Sequence, residues 1–166
     1  MRIRPEEPKD IDAIREITAA AFANHPYSHQ TEPLIVEGLR KAGVLAVSLV
    51  ADSDGAIVGH IAFSKVEIGG ADPSWYGLGP ISVRPDFQHR GVGRALVQAG
   101  LAAIRALGAR GCALVGEPEF YGRFGFTQAD TMVLEGVPPK NLLALAFDDR
   151  IPGGALSFHR AFFIEG

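Results

Sequence analysis

Residues 88–94 read Gln-His-Arg-Gly-Val-Gly-Arg and open an apolar helical pattern. Two glycines and three basic side chains at the mouth of a helix suit an anion. The start of a helix leaves several backbone N–H groups without acceptors, and the macrodipole adds about half a positive charge there. Gly91 and Gly93 let that backbone come close to a bulky anion. Arg90 and Arg94 add charge, with Arg84 and His89 nearby. Together these features suit a diphosphate. A dinucleotide fingerprint needs a third glycine where the chain has Arg94-Ala95-Leu96, and a Walker loop needs Gly-Lys-Ser/Thr, which is absent. The residues alone leave a second reading open, a glycine-rich helix start with solvated arginines.

The elements that position this turn follow from periodicity. Arg2 to Arg4 is a short strand ending at Pro5. Pro8, Asp10 and Asp12 suit the start of a first helix, in which Ile11, Ile14, Ile17, Ala21 and Phe22 recur at helical spacing. The segment 24–33, Asn-His-Pro-Tyr-Ser-His-Gln-Thr-Glu-Pro, interrupts it. Thr31 is placed to cap a second helix with Leu34, Ile35 and Leu39 facing inward, and Gly43 ends it. Leu45 to Ala51 and Ala56 to Ile68 read as strands joined by a hairpin turn, Asp-Ser-Asp-Gly. Trp75 to Val83 is a further strand. A helix follows over Val92 to Leu107, with Leu96, Val97, Gly100, Leu101 and Ile104 on one stripe. Cys112 to Val115 is wholly apolar, as a buried central strand should be. A short helix and turn occupy 117–126, and Leu142 to Phe147 and Ala155 to Phe163 read as closing strands. The pattern predicts an α/β fold: a mixed, mostly antiparallel sheet with helices on both faces and one strand–helix–strand crossover.

With 166 residues and no repeat or linker, the chain is expected to form one domain over 1–166. Its net charge of −3 argues against a nucleic-acid partner, because phosphate backbones demand a broad basic surface. One cysteine, Cys112, permits no internal disulfide and fits a reducing cytoplasm. The charged first ten residues do not read as a signal peptide, and no apolar run approaches membrane-spanning length. The five histidines lack metal-ligand spacing, so no metal is expected.

Gln88-x-x-Gly91-x-Gly93, following a strand that ends Ile81-Ser82-Val83, resembles the acetyl-CoA signature of the GNAT superfamily of N-acyltransferases. So does the segment 120–126, where Tyr121 stands five residues before Phe126 of a Gly-Phe pair. The resemblance covers roughly residues 1 to 130. It implies acetyl-CoA as cosubstrate and direct transfer of acetyl to a primary amine. It implies that Gln88, His89, Arg90, Gly91, Val92, Gly93 and Arg94 hold the pyrophosphate. It also implies that Ile81, Ser82 and Val83 pair with the pantetheine as with an added strand. Pro80 removes a ladder donor, which a central strand tolerates at a bulge or splay. A free N–H near Ile81 would then polarise the thioester carbonyl.

Acyl transfer to an amine also needs a proton for the departing thiolate. The resemblance makes Tyr121 that general acid; packing alone would make it a core tyrosine beside Phe120, Phe124 and Phe126. The strand before the loop offers no carboxylate or imidazole, so the base is sought elsewhere: Glu117 first, then Glu32, Glu67 and His60. The interrupting segment 24–33 and the region 136–150 are expected to shape an acceptor site, for a small-molecule or protein amine. The tail past Asp130 is equally suited to a homodimer contact. Two alternatives stand beside the enzyme: a non-catalytic acyl-CoA-binding or regulatory module on the same fold, and an unrelated nucleotide-binding protein.

Overall fold

The computed structural model describes residues 1–26 and 28–163. Strand β1 (Arg2–Pro5) leads through a turn at Pro8–Asp10 into helix α1 (Ile11–Phe22), and α2 (Glu32–Lys41) follows. Next come β2 (Val47–Ser53), β3 (Ala56–Lys65), β4 (Glu67–Ile68) and β5 (Trp75–Val83). The chain continues through α3 (Val92–Ala106), β6 (Gly111–Val115), α4 (Pro118–Tyr121), β7 (Thr127–Gln128), β8 (Met132–Val133), β9 (Leu142–Ala146) and β10 (Gly154–Ser157).

Seven strands form one sheet in the order β1-β2-β3-β5-β6-β9-β7. Its pairs are antiparallel except β5 with β6, the two strands that α3 connects. Helix α3 lies on one face, where Leu96, Val97 and Ile104 are fully buried against Ile61, Phe63 and Leu78. Each such side chain contributes about 1.5–3 kcal/mol. Two glycines permit the close approach. A Cβ on Gly59 would stand 2.9 Å from Leu96 and Val92, and one on Gly100 would stand 2.2 Å from the Phe63 ring. Helices α1 and α2 cover the other face. A second sheet, β4-β10-β8, closes the bottom of that face over Val66, Trp75, Met132 and Leu156.

Several expected boundaries move. The hairpin turn narrows to Asp54-Gly55, both at positive φ (52° and 93°), and β2 runs on to Ser53. The strand expected over Ala56 to Ile68 is broken: Val66 turns into the second core beside Trp75, and Glu67–Ile68 takes β10 as its partner. The last expected strand ends at Ser157. Arg160–Phe163 coils into a turn because Ala161 and Phe162 pack on Ile35 and Leu39 of α2, which a continued strand would leave bare. Leu34 is exposed, and Val36 takes the inward place expected of it. Thr31 occupies the cap position without a side-chain cap bond; Ser28 instead donates to Glu32.

Candidate active site

β5 is paired on both sides for only part of its length. It meets β6 at Trp75–Gly111, Tyr76–Cys112 and Gly77–Ala113, and the two strands then part. Toward β3 the register slips by one residue, since Phe63 faces Leu78 but Ile61 faces Ile81. Gly79 and Pro80 therefore form a bulge opposite Ala62, which is where a proline without a ladder donor belongs. Antiparallel ladders alternate, so the register fixes which way each backbone group points. The N–H of Arg84 donates to Val58 and that of Val66 to Trp75, which makes Ser82 a hydrogen-bonded partner of His60. Ile81 and Val83 then direct their N–H and C=O groups away from β3, into the gap that β6 has left. The Val83 carbonyl accepts from the Gln88 side chain at 3.1 Å.

The gap runs toward the start of α3. The chain arrives there through His89 and Gly91, both at positive φ (65° and 84°). Gly91 is the N-cap residue and offers no side-chain cap, and the first turn of α3 carries no acidic residue. The first internal bond is from Ala95 to the Gly91 carbonyl, so the N–H groups of Val92, Gly93 and Arg94 lack helix acceptors. Gly93 is informative. A Cβ there would lie 3.7 Å from Phe120 and 3.8 Å from Val83, an ordinary contact, so packing within the protein does not demand glycine. A glycine that packing does not require, in an uncapped first turn, fits a diphosphate that needs the backbone close. Arg84 and Arg90 stand over the Phe87 ring at 4.6 and 5.2 Å, and Asp86 pairs with Arg84 at 2.6 Å.

Tyr121, at the end of α4, is 8% exposed and packs in the core cluster that holds Cys112 and Leu114 of β6. Its ring lies edge-on to Phe120 and Phe126, and it fills the space that a Cβ on Gly116 would need. Among the described residues none hydrogen-bonds its hydroxyl. Burial first, and the neighbouring Cys112 second, push the phenol up to about 12, so it stays protonated at neutral pH. Cys112 is fully buried, and burial raises its thiol well above the ordinary value, as befits a small core side chain.

The other candidates are spread out. Glu117 is exposed at the N-terminus of α4, one turn from Tyr121, whose N–H donates to its carbonyl at 3.1 Å. Glu67 is exposed on β4, and Glu32 accepts from Ser28 at 2.6 Å. His60 is completely buried on the α1 face, with Nε2 2.8 Å from the Ser48 hydroxyl. Sequence reasoning gave no sign that Ser48 and His60 continue to Glu6, which Arg40 grips through two 2.9 Å bonds. In the expected acceptor segment, Gln30 donates to the Phe22 carbonyl at 2.7 Å, while Tyr27 lies outside the described residues.

The Acetyltransferase (GNAT) domain family matches residues 45–128, from just before β2 through β7. Over 130 residues the chain is 35% identical to the N-acetyltransferase YhbS of Escherichia coli K12, covering 78% of this chain and 75% of that protein. Its fold superimposes on a GNAT family acetyltransferase from Brucella melitensis in complex with acetyl-CoA. The TM-score is 0.88 at 46% identity, over 97% of both chains. YhbS from Escherichia coli in complex with CoA gives the same TM-score at 29% identity, over 99% of this chain and 93% of that one.

Proposed function

Because the chain belongs to the GNAT family of acetyltransferases, we propose that the gap beside β5 and the uncapped start of α3 form one continuous acetyl-CoA site. The chain is an N-acetyltransferase, and acetyl-CoA is the cosubstrate that supplies the acyl group as a thioester. The first-turn N–H groups of Val92, Gly93 and Arg94, with the backbone from His89, hold the pyrophosphate. Arg90 and Arg94 add charge. Gln88 holds the Val83 carbonyl in place. Ile81 and Val83 pair with the pantetheine arm as a neighbouring strand would, while Ser82 between them keeps its own bonds to His60 and so fixes the register. The Ile81 N–H points at the charge that develops on the carbonyl oxygen, a contribution of roughly 3 kcal/mol.

Tyr121 donates the proton that the departing sulfur takes up, and its burial keeps that proton available. Glu117, at the exposed edge, takes the proton that an ammonium acceptor must lose. The acceptor is a primary amine of a small molecule or a protein. The 166 residues work as one domain, because Trp75, Ala113 and Leu142 of the larger sheet share a core with Met132 and Leu156 of the smaller one. No helix among the described residues is long and apolar enough to cross a membrane. A cytoplasmic site of action suits the lone buried thiol of Cys112. The exposed apolar side chains Val133 and Phe163, beyond the family motifs, suit a homodimer contact.

The observation that carries the cosubstrate site is the backbone of Ile81 and Val83, released from pairing and aimed into a gap that ends at an uncapped helix. The test is Gly93→Ala. Alanine favours the helix by up to about 1 kcal/mol, so thermal stability holds or rises. CoA affinity, read by calorimetry, falls by about tenfold or more because the added methyl keeps the pyrophosphate off the backbone. Unchanged affinity refutes the site. Tyr121→Phe lowers kcat by on the order of 10²-fold with CoA binding intact; unchanged turnover removes Tyr121 from the mechanism.

A further inference from the structure

The α3 face of the sheet is sealed by α3 itself, so an acceptor meets the gap from the opposite face. On that face, Gly77 is the last residue of β5 to pair with β6, and the Phe158 ring sits directly on it: a Cβ on Gly77 would lie 2.7 Å from the ring edge. The same ring lines a cavity of about 420 Å³. Val44 and Val66 supply its apolar wall, and Lys65, Glu67, Asp72 and the run Ser157–Arg160 its polar wall.

The polar wall can be sorted by which groups already have partners. Lys65 and Asp72 satisfy each other at 3.0 Å, and Asp72 also accepts from the Ser74 N–H. The Ala161 N–H donates to Nδ1 of His159 at 3.0 Å, so the neutral ring carries its hydrogen on Nε2, as a donor. Among the described residues Arg160 and Glu67 enter no ion pair. Among the described residues, two donors, one of them cationic, and one carboxylate therefore stand unmatched around an apolar wall. A ligand that matches both is zwitterionic.

We propose that this cavity, bounded by Phe158, Glu67, His159 and Arg160, is the acceptor pocket and that the acceptor is a small amine that also carries a carboxylate. This rests on the acetyltransferase reading and specifies its substrate class. Arg160 and the Nε2–H of His159 hold the carboxylate, a charge-assisted arrangement that a neutral amide cannot replace. Glu67 draws the ammonium in from solvent, and the apolar stem lies along Val44 and Val66. The amine passes the edge of Phe158 to reach the gap.

The test uses the full chain with L-leucine, 6-aminohexanoate, and their neutral counterparts L-leucinamide and 6-aminohexanamide. Release of CoA thiol reports turnover, and calorimetry without acetyl-CoA reports binding. At least one amino acid is expected to show a KM tenfold or more below that of its amide. Arg160→Ala is expected to raise that KM by about tenfold or more, leaving the amide's KM and the CoA affinity unchanged. Glu67→Gln raises KM for acid and amide alike. Both side chains are exposed, so both variants fold, which a melting curve verifies. Equal use of acid and amide, or an Arg160→Ala enzyme with unaltered KM, overturns the proposal, as does the absence of both binding and turnover for every amino acid tried. Carboxylate-dependent, Arg160-dependent binding without any turnover upholds the pocket and counts instead against the acetyltransfer reading.

Discussion

The two faces of the large sheet are built from different materials. Against α3 the packing is apolar throughout: Ile61, Phe63, Leu78, Leu96, Val97 and Ile104 meet with two glycines allowing close contact. Against α1 and α2 the sheet presents His60, Ser64 and Ser82, all buried, with Ser48, Glu6 and Arg40 at the rim. Apolar side chains there gather into smaller groups around Ile14, Val36 and Val50 and around Ile35 and Leu39. The apolar face is non-directional and tight, which suits the task of fixing one helix start against one strand. The polar face is directional. Glu6 accepts from both Arg40 and Ser48, so Ser48 must take its own hydrogen bond from Nε2 of His60. That leaves Nδ1 of His60 a bare lone pair, and among the described residues neither it nor the Ser64 and Ser82 hydroxyls has a partner. One face stores stability; the other spends some of it on buried polar atoms.

The largest expected difference comes from the apolar face. Ile104→Ala should cost about 2–5 kcal/mol, read as a lower denaturant midpoint with unchanged slope. A loss under 1 kcal/mol would deny that face its special role. Acid comes next, and it acts on the polar face. Burial above all lowers His60 from 6.5 to about 4, with Glu6 raising it and Arg40 lowering it further. The unfolded chain therefore binds the extra proton first. Stability is full above pH 6.5 and declines as pH falls toward 4, by roughly 3 kcal/mol in total. Glu6 adds a loss at lower pH: burial raises its carboxyl, but bonds from Arg40 and Ser48 outweigh that and hold it below 4.5. His60→Gln should flatten the upper part of the pH profile; an unaltered profile would locate the titration elsewhere.

Ser48→Ala should cost about 1–3 kcal/mol, because it strips Nε2 of His60 and one oxygen of Glu6 at once. Ser64→Ala should be neutral or stabilise by up to about 1 kcal/mol, since its hydroxyl is buried without a partner. The contrast between these two serines, measured by chemical denaturation, separates polar groups that hold the face together from those that merely burden it. Two equal losses would mean that the partner pattern has no energetic meaning.

Long, strictly periodic elements were legible in the sequence. The stripe of α3, the repeat of α1 and the apolar run of β6 each point to one conformation, and Pro80 marked the place where β5 leaves its regular ladder. Legibility failed where the decision belongs to a distant partner. The run from Ala56 to Ile68 holds no glycine or proline after Gly59; the break at Val66 comes from Trp75 and β10. The run from Phe158 to Phe163 has strand-like residues, yet α2 claims two of them. Within the site, the helix start and Tyr121 could be named because they lie in short motifs. The chain from Arg40 through Glu6 and Ser48 to His60 joins positions up to 54 residues apart, on three elements and the loop after β1, and no local spacing announces it.

The extra residue at Gly79–Pro80 acts as a change of phase. Counted back from Phe63–Leu78 without it, His60 would face Ile81, and Ile81 would turn its amide into the ladder with β3. The outer half of β5 would then offer the opening a different set of amides and put isoleucine where serine now meets α1. Shortening that strand by a single residue would thus invert its last turn of alternation, closing the binding edge while leaving every amino acid around the opening in place.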